Sequence, residues 1–190
     1  LAPEYLSERR RQISSTSRSN VHLGNTRETS ESTETTHFSV IDQWGGAVSC
    51  TTTLNSNFGA KVMAAGILFN NEMDDFAAQP GKANQFGLVQ SSANAIVPGN
   101  RPLSSMAPTI VLQDGKVDAV IGSPGGPTIL STVLQVILNR YVFDMNPTQA
   151  VAAPRFHRQD LPIYIKYEWN RIDMASRNRL RQFNQPLKKV

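Results

Sequence analysis

The stretch Thr35-Thr36-His37-Phe38-Ser39-Val40-Ile41-Asp42 is where regular β patterning begins in this sequence. Its alternation and its β-branched residues are those of a strand. Trp44-Gly45-Gly46 supplies a turn and residues 47–54 return as a second strand, so the pair reads as a β-hairpin. Upstream the composition is different. Residues 4–13 are rich in Arg and Glu and fit a short helix, whereas residues 14–34 are dense in Ser, Thr, Arg and Asn and read as an exposed linker. A strand that opens with threonine directly behind a protease-accessible linker is where an N-terminal nucleophile is expected. Cutting the Glu34–Thr35 bond would give one residue a hydroxyl nucleophile and, in its freed α-amine of ordinary pKa about 8, a base. The plainer reading of Thr35 is a strand-edge threonine chosen for β-propensity.

Further along come a loop around residues 55–59, an apolar strand over residues 66–71 and the acidic group Glu72-Met73-Asp74-Asp75. Residues 79–102 are irregular and rich in Pro, Gly, Asn and Gln; loops of that length are often lids or binding loops. Residues 109–112 and 117–122 flank Asp114-Gly115 as a second hairpin. Ser123-Pro124-Gly125-Gly126-Pro127 then leads into a helix over residues 128–143, with Ile129, Val133, Val136, Ile137 and Tyr141 on one face. Asn146-Pro147 is a cap and first-turn pair for a short helix to Ala152.

The chain of 190 residues has room for one ordinary domain. Its formal charge of +4 does not mark a phosphate groove, because it is unevenly spread. Residues 35–150 hold five basic against seven acidic residues, while residues 151–190 hold nine against three. A basic tail without a nucleic-acid signature is read as a solvated surface or one awaiting a partner. No apolar run approaches the roughly 20 residues that cross a bilayer. No leader opens the chain at Leu1, so a secretory signal is expected to be absent or upstream. Cys50 is the only cysteine, which excludes an internal disulfide and a multi-cysteine zinc site; its β-rich surroundings suggest a buried structural thiol. His37 and His157 show no paired ligand spacing and are assigned structural roles.

The run Glu31-Ser32-Thr33-Glu34-Thr35-Thr36-His37-Phe38-Ser39-Val40 closely resembles the processing site of γ-glutamyltranspeptidases, N-terminal-nucleophile hydrolases also called glutathione hydrolases. The resemblance continues in order through residues 51–59, 66–76, 101–109, 122–126 and 153–157, and fades after Pro162. It implies an α+β fold, the four-layer αββα sandwich. Residues 1–34 would be the C-terminal end of the large-subunit region and its processing linker. Residues 35–190 would be the small-subunit catalytic domain, truncated before the family's closing helix and strands. The implied activity is γ-glutamyl transfer or hydrolysis, after autoproteolysis at Glu34–Thr35, with glutathione or another γ-glutamyl donor and an amino-acid, peptide or water acceptor. No cofactor or metal is implied. The implied partner is the large-subunit chain of the same precursor, and the implied compartment is periplasmic or secreted. Glutaryl-cephalosporin acylase chemistry is the enzymatic alternative. A non-catalytic truncated homologue acting as an assembly partner is the other.

The resemblance also distributes roles. Thr35 is the nucleophile, and Thr53 bonds to it and supports it. Asn55 contacts the substrate's α-amino-acid end; both residues leave the second strand at alternate positions and so can share a face. Glu72 and Asp75 bind the α-amine, which suits fixed negative charge facing an ammonium. Asp74 is solvated or structural. Ser104 and Ser105 bind the α-carboxylate as neutral donors. Gly125 and Gly126 form the oxyanion hole, since glycine lets backbone N–H groups approach a reacting carbonyl and the following helix N-terminus adds partial charge. Phe86 stands where a lid tyrosine is common, without the hydroxyl. Taken alone, the same residues also fit turn, strand and surface roles.

Overall fold

The computed structural model describes residues 2–11, 35–84, 87–159, 163–168, 171–182 and 186–189. Helix α1 (Pro3–Arg11) matches the short upstream helix, and the linker expected at residues 14–34 lies outside the described residues. Strand β1 (Thr36–Ile41) pairs antiparallel with β2 (Ala47–Thr52), Thr36 opposite Thr52 and Ile41 opposite Ala47. Asp42 closes the turn, its Oδ1 accepting from the N–H groups of Trp44 at 2.9 Å and Gly46 at 2.8 Å.

The strand expected over residues 66–71 is mostly loop. Only β3 (Met63–Ala64) and β4 (Ile67–Leu68) pair there; Phe69 is bonded to the Ala60 N–H at 2.9 Å and the Val62 carbonyl at 3.0 Å, and a Cβ on Gly59 would lie 2.2 Å from the Phe69 carbonyl oxygen. Strands β5 (Thr109–Gln113) and β6 (Lys116–Ile121) form the second hairpin around Asp114 and Gly115, both at positive φ (51° and 75°), as a tight Asp-Gly turn requires.

The two hairpins lie against one another. Ser39 Oγ donates to the Val120 carbonyl at 3.3 Å and Ser49 Oγ to the Ile121 carbonyl at 3.1 Å. His37 stands between them, 2.8 Å from Thr51 Oγ1 and 3.1 Å from Ser39 Oγ. A Cβ on Gly122 would fall 2.0 Å from the imidazole, so the layers meet this closely only because that position lacks a side chain. On the opposite face of the first hairpin, Phe38, Val40 and Val48 are about half exposed. Cys50 shares that face and is half-buried, less enclosed than the buried structural thiol expected.

Helix α2 (Thr128–Tyr141) buries Ile129, Val133 and Val136 at helical spacing. Ile137 is half-buried, and Tyr141 turns outward to donate to Asp118 of β6. Helix α3 (Pro147–Ala152) starts in a full capping box between Asn146 and Gln149 and packs against α2 through the buried Ala150.

Beyond Pro162, where the resemblance fades, the chain forms β8 (Ile165–Tyr167), α4 (Met174–Gln182) and β9 (Leu187–Lys189), with β7 (Phe156–His157) completing a sheet in the order β7-β8-β9. The β8–β9 pair is parallel, which requires a crossover, and α4 lies in it. Ile165 and Tyr167 are buried on one face of β8. Glu168 anchors the strand end, accepting from Arg155 at 3.1 Å and Arg171 at 3.0 Å. His157, 9% exposed, is held 2.8 Å from Ser131 Oγ and 2.8 Å from Gln159 Oε1, a structural placement.

Candidate active site

Thr35 sits at the head of β1 and is 7% exposed. Its Oγ1 donates to Thr53 Oγ1 at 3.2 Å, and the same Thr53 oxygen accepts from the Asn55 N–H at 2.9 Å. Thr53 therefore ties the strand head to the loop that follows β2. Asn55 adopts φ 73°, a left-handed conformation that Asn tolerates better than most residues. It is held there by Nδ2 donating to the Asn71 carbonyl at 3.1 Å. The Asn71 side chain fixes the loop from the other side, accepting from the Ser56 N–H and donating to Ser56 Oγ, both at 2.9 Å.

Thr35, Thr53 and Asn55 line a cavity of about 270 Å³. Asp75, Ser104 and Ser105 line it as well, together with Gly126 and, from the start of α2, Ile129 and Leu130. Residues assigned separate roles in the sequence, from Thr35 to Gly126, thus meet at one space. Glu72 and Gly125 are not among the lining residues, although each shares a turn with one that is, Asp75 and Gly126.

The acidic group folds as a 3₁₀ turn, Glu72–Asp75. Burial, and then a hydrogen bond to Asp75 and its charge, push Glu72 up to about 7. Burial also raises Asp75, the hydrogen bond from Glu72 opposing and the Asp74 charge adding. Glu72 Oε1 and Asp74 Oδ2 are out of water with no hydrogen-bond partner among the described residues. Of the two roles expected for Asp74, solvated or structural, its buried oxygen fits the structural one. Such a turn stores unfavourable negative charge that a cation entering beside Asp75 would relieve.

The glycine turn is built differently. Gly125 has φ +127° and Gly126 φ +55°. A Cβ on Gly125 would lie 2.5 Å from Thr128 Oγ1, which donates to the Gly125 carbonyl at 2.7 Å. The helix takes both glycine carbonyls, through the N–H groups of Thr128 and Ile129 at 3.1 Å each. Neither glycine N–H donates to another described residue. Among the described residues the turn thus has donors without an acceptor, and its Gly126 lines the cavity, as holding a developing oxyanion requires.

The segment expected to act as a lid closes on itself and borders the cavity. Asn84 exchanges backbone hydrogen bonds with the loop at Leu88, and its Oδ1 accepts from the Leu88 N–H at 3.0 Å. Asn84, Leu88, Val89 and Gln90 all line the space. Phe86 and the cleavage-site residue Glu34 lie outside the described residues. Sequence reasoning missed Asn71, Asn84, Gln90 and Asn94, whose contacts span 4 to 19 positions and leave no local pattern. Among the described residues no group of three or more His, Cys, Asp or Glu is placed to hold a metal, and no helix is long and apolar enough to cross a membrane.

Layered hairpins with a buried threonine at the head of the first strand are the arrangement of N-terminal-nucleophile hydrolases, and solved structures bear that out. A Helicobacter pylori γ-glutamyltranspeptidase structure matches with a TM-score of 0.79 at 48% identity, covering 82% of this chain and 84% of that one. The fold is thus the α+β N-terminal-nucleophile hydrolase sandwich. The family model described as gamma-glutamyltranspeptidase matches residues 1–190, and the chain belongs to that family. The match includes the tail beyond Pro162, where sequence resemblance alone faded. The glutathione hydrolase proenzyme of Escherichia coli (strain K12) is 53% identical over 140 residues, 73% of this chain and 24% of that protein. An Arabidopsis thaliana glutathione hydrolase whose name includes the word inactive is 44% identical over 137 residues, 70% of this chain and 72% of it. The chain spans about a quarter of the length of the bacterial proenzymes it matches.

Proposed function

We propose that this chain carries the nucleophile-bearing region of an enzyme that transfers γ-glutamyl groups from glutathione or a related donor to water or to an amino-acid or peptide amine. Residues 1–34 end the large-subunit region with its linker, and residues 35–190 belong to the small-subunit catalytic domain. Autoproteolysis before Thr35 frees its α-amine. That amine takes the hydroxyl proton as Thr35 Oγ1 attacks the γ-carbonyl, and Thr53 holds the oxygen in place. The N–H groups of Gly125 and Gly126 stabilise the tetrahedral oxyanion. Its collapse breaks the amide bond, and the amine leaves with the proton held by Thr35. Water or an acceptor amine then attacks the ester and restores the hydroxyl.

Asp75, backed by Glu72, takes the donor's α-ammonium; Ser104 and Ser105 take its α-carboxylate, with Asn55 beside them. The observation that carries the reading is that Thr35 and Gly126 border one cavity that Asp75, Ser104 and Ser105 also line. The carboxylate wall also favours a donor with an α-amine over a glutaryl donor. The partner is the large-subunit chain, and the exposed Phe38, Val40 and Val48 offer it an apolar face. The compartment is periplasmic or secreted. Release of nitroaniline from γ-glutamyl and glutaryl p-nitroanilides tests the reading: a preference for the γ-glutamyl compound supports it, and a preference for the glutaryl compound points to the acylase. The Arabidopsis relative of comparable length favours a second reading, a non-catalytic partner, for which neither compound would be cleaved.

A further inference from the structure

Asn94 lies outside the cavity lining, yet it touches three of the parts that shape it. It ends a 3₁₀ turn, Ser92–Asn94, and is 6% exposed, so water cannot replace what it bonds. Its Nδ2 donates to the backbone carbonyl of Asp75 at 2.7 Å and also to Gln90 Oε1 at the foot of the lid segment. Its Oδ1 accepts from the N–H of Leu103 at 3.0 Å, directly before Ser104 and Ser105. Its own carbonyl accepts from the Ala77 N–H at 2.8 Å, just past the acidic turn. The side-chain orientation is dictated by chemistry: a carbonyl on one side demands the amide nitrogen, and a backbone N–H on the other demands the oxygen. Neither Asp nor Leu at this position satisfies both.

We propose that Asn94 is a positioning residue for the donor's α-amino-acid end, holding Asp75 and the Ser104–Ser105 pair in register with each other and with the lid segment. The inference rests on the donor site proposed above. The two arms of one amide thereby serve two charges of one substrate. The Nδ2 arm governs the carboxylate that meets the ammonium. The Oδ1 arm governs the serines that meet the α-carboxylate. A displacement of Asp75 of a few tenths of an ångström is enough to weaken a charge-assisted bond without disturbing Thr35.

The arms separate in the test. In the full-length gene product, Asn94→Asp keeps the acceptor for Leu103 and removes both donors. The expected result is a rise of roughly 10- to 100-fold in KM for γ-glutamyl p-nitroanilide, with kcat held. Turnover of glutaryl p-nitroanilide, which lacks the α-amine, should stay within about threefold of the unaltered protein. Asn94→Ser, uncharged and small, is read in the same way where the buried charge of Asp hinders folding. Parallel losses on both compounds, with a falling melting temperature, would reduce Asn94 to a folding residue and overturn the inference. So would unchanged kinetics on both. An unaltered protein that shows no preference for the γ-glutamyl compound would instead remove the donor site itself, and this inference with it.

Discussion

Replacing Thr53 with valine tests the nucleophile's support while leaving its shape almost unchanged. Two hydrogen bonds disappear together: the 3.2 Å bond from Thr35 Oγ1 and the 2.9 Å bond from the Asn55 N–H. Loss of the first contributes about 0.5–1.5 kcal/mol, and a buried N–H left without an acceptor costs about 1–3 kcal/mol. Asn55 is 6% exposed, so its N–H belongs to the second case. If both losses are felt in the transition state, the barrier rises by about 1.5–4.5 kcal/mol, or about 10- to 2,000-fold in kcat/KM. Initial-rate assays with γ-glutamyl p-nitroanilide measure it. Thr53→Ser restores the hydroxyl and should recover most of the rate, because only a methyl group is missing. A Thr53→Val enzyme within twofold of the parent would refute the reasoning, as would a serine variant no better than valine.

Three further outcomes follow from particular contacts. Glu72, raised to about 7 from 4.5, binds its proton more tightly folded than unfolded, so its contribution to stability is full below pH 4.5 and is lost as pH rises through about 7. Melting temperatures should therefore fall from pH 5 to pH 8 relative to Glu72→Gln, and donor KM should rise below pH 7 as the ammonium competes with that proton. Gly125→Ala forces a side chain at φ +127° against Thr128 Oγ1 and should lower kcat by about 100- to 1,000-fold, the range for a lost oxyanion donor, with KM little changed. Gly122→Ala drives a methyl into the His37 ring and should cost about 1–3 kcal/mol in denaturant unfolding.

The hairpin β1–β2 and helix α2 were legible because each repeats a pattern, alternation in one and buried residues at helical spacing in the other. Asp114-Gly115 announced its turn by residue type. The run at residues 66–71 misled because apolar residues alone do not separate a strand from a loop held by long-range backbone bonds such as Ala60 N–H to the Phe69 carbonyl at 2.9 Å. The tail was illegible for another reason. Strands of three residues carry no period, and what ties this sheet together spans the sequence, as in Arg155 bonding Glu168 thirteen positions away. In the site, Thr35, Thr53 and Asp75 were found through residue type and resemblance. That Asp75 and Gly126 line the cavity while Glu72 and Gly125 do not is set by the folded chain and needs the third dimension. Asn94 joins positions 4, 9 and 19 residues away, a geometry no window along the chain contains.

Everything chemical in this account depends on Thr35 becoming a chain terminus. Intact mass spectrometry of the full-length gene product, before and after incubation at neutral pH, reads that event directly. Two fragments are predicted, the downstream one beginning at Thr35, and a single uncut chain for Thr35→Ala. A cut that persists in Thr35→Ala, or an unaltered protein that stays whole while still cleaving a γ-glutamyl anilide, would contradict it.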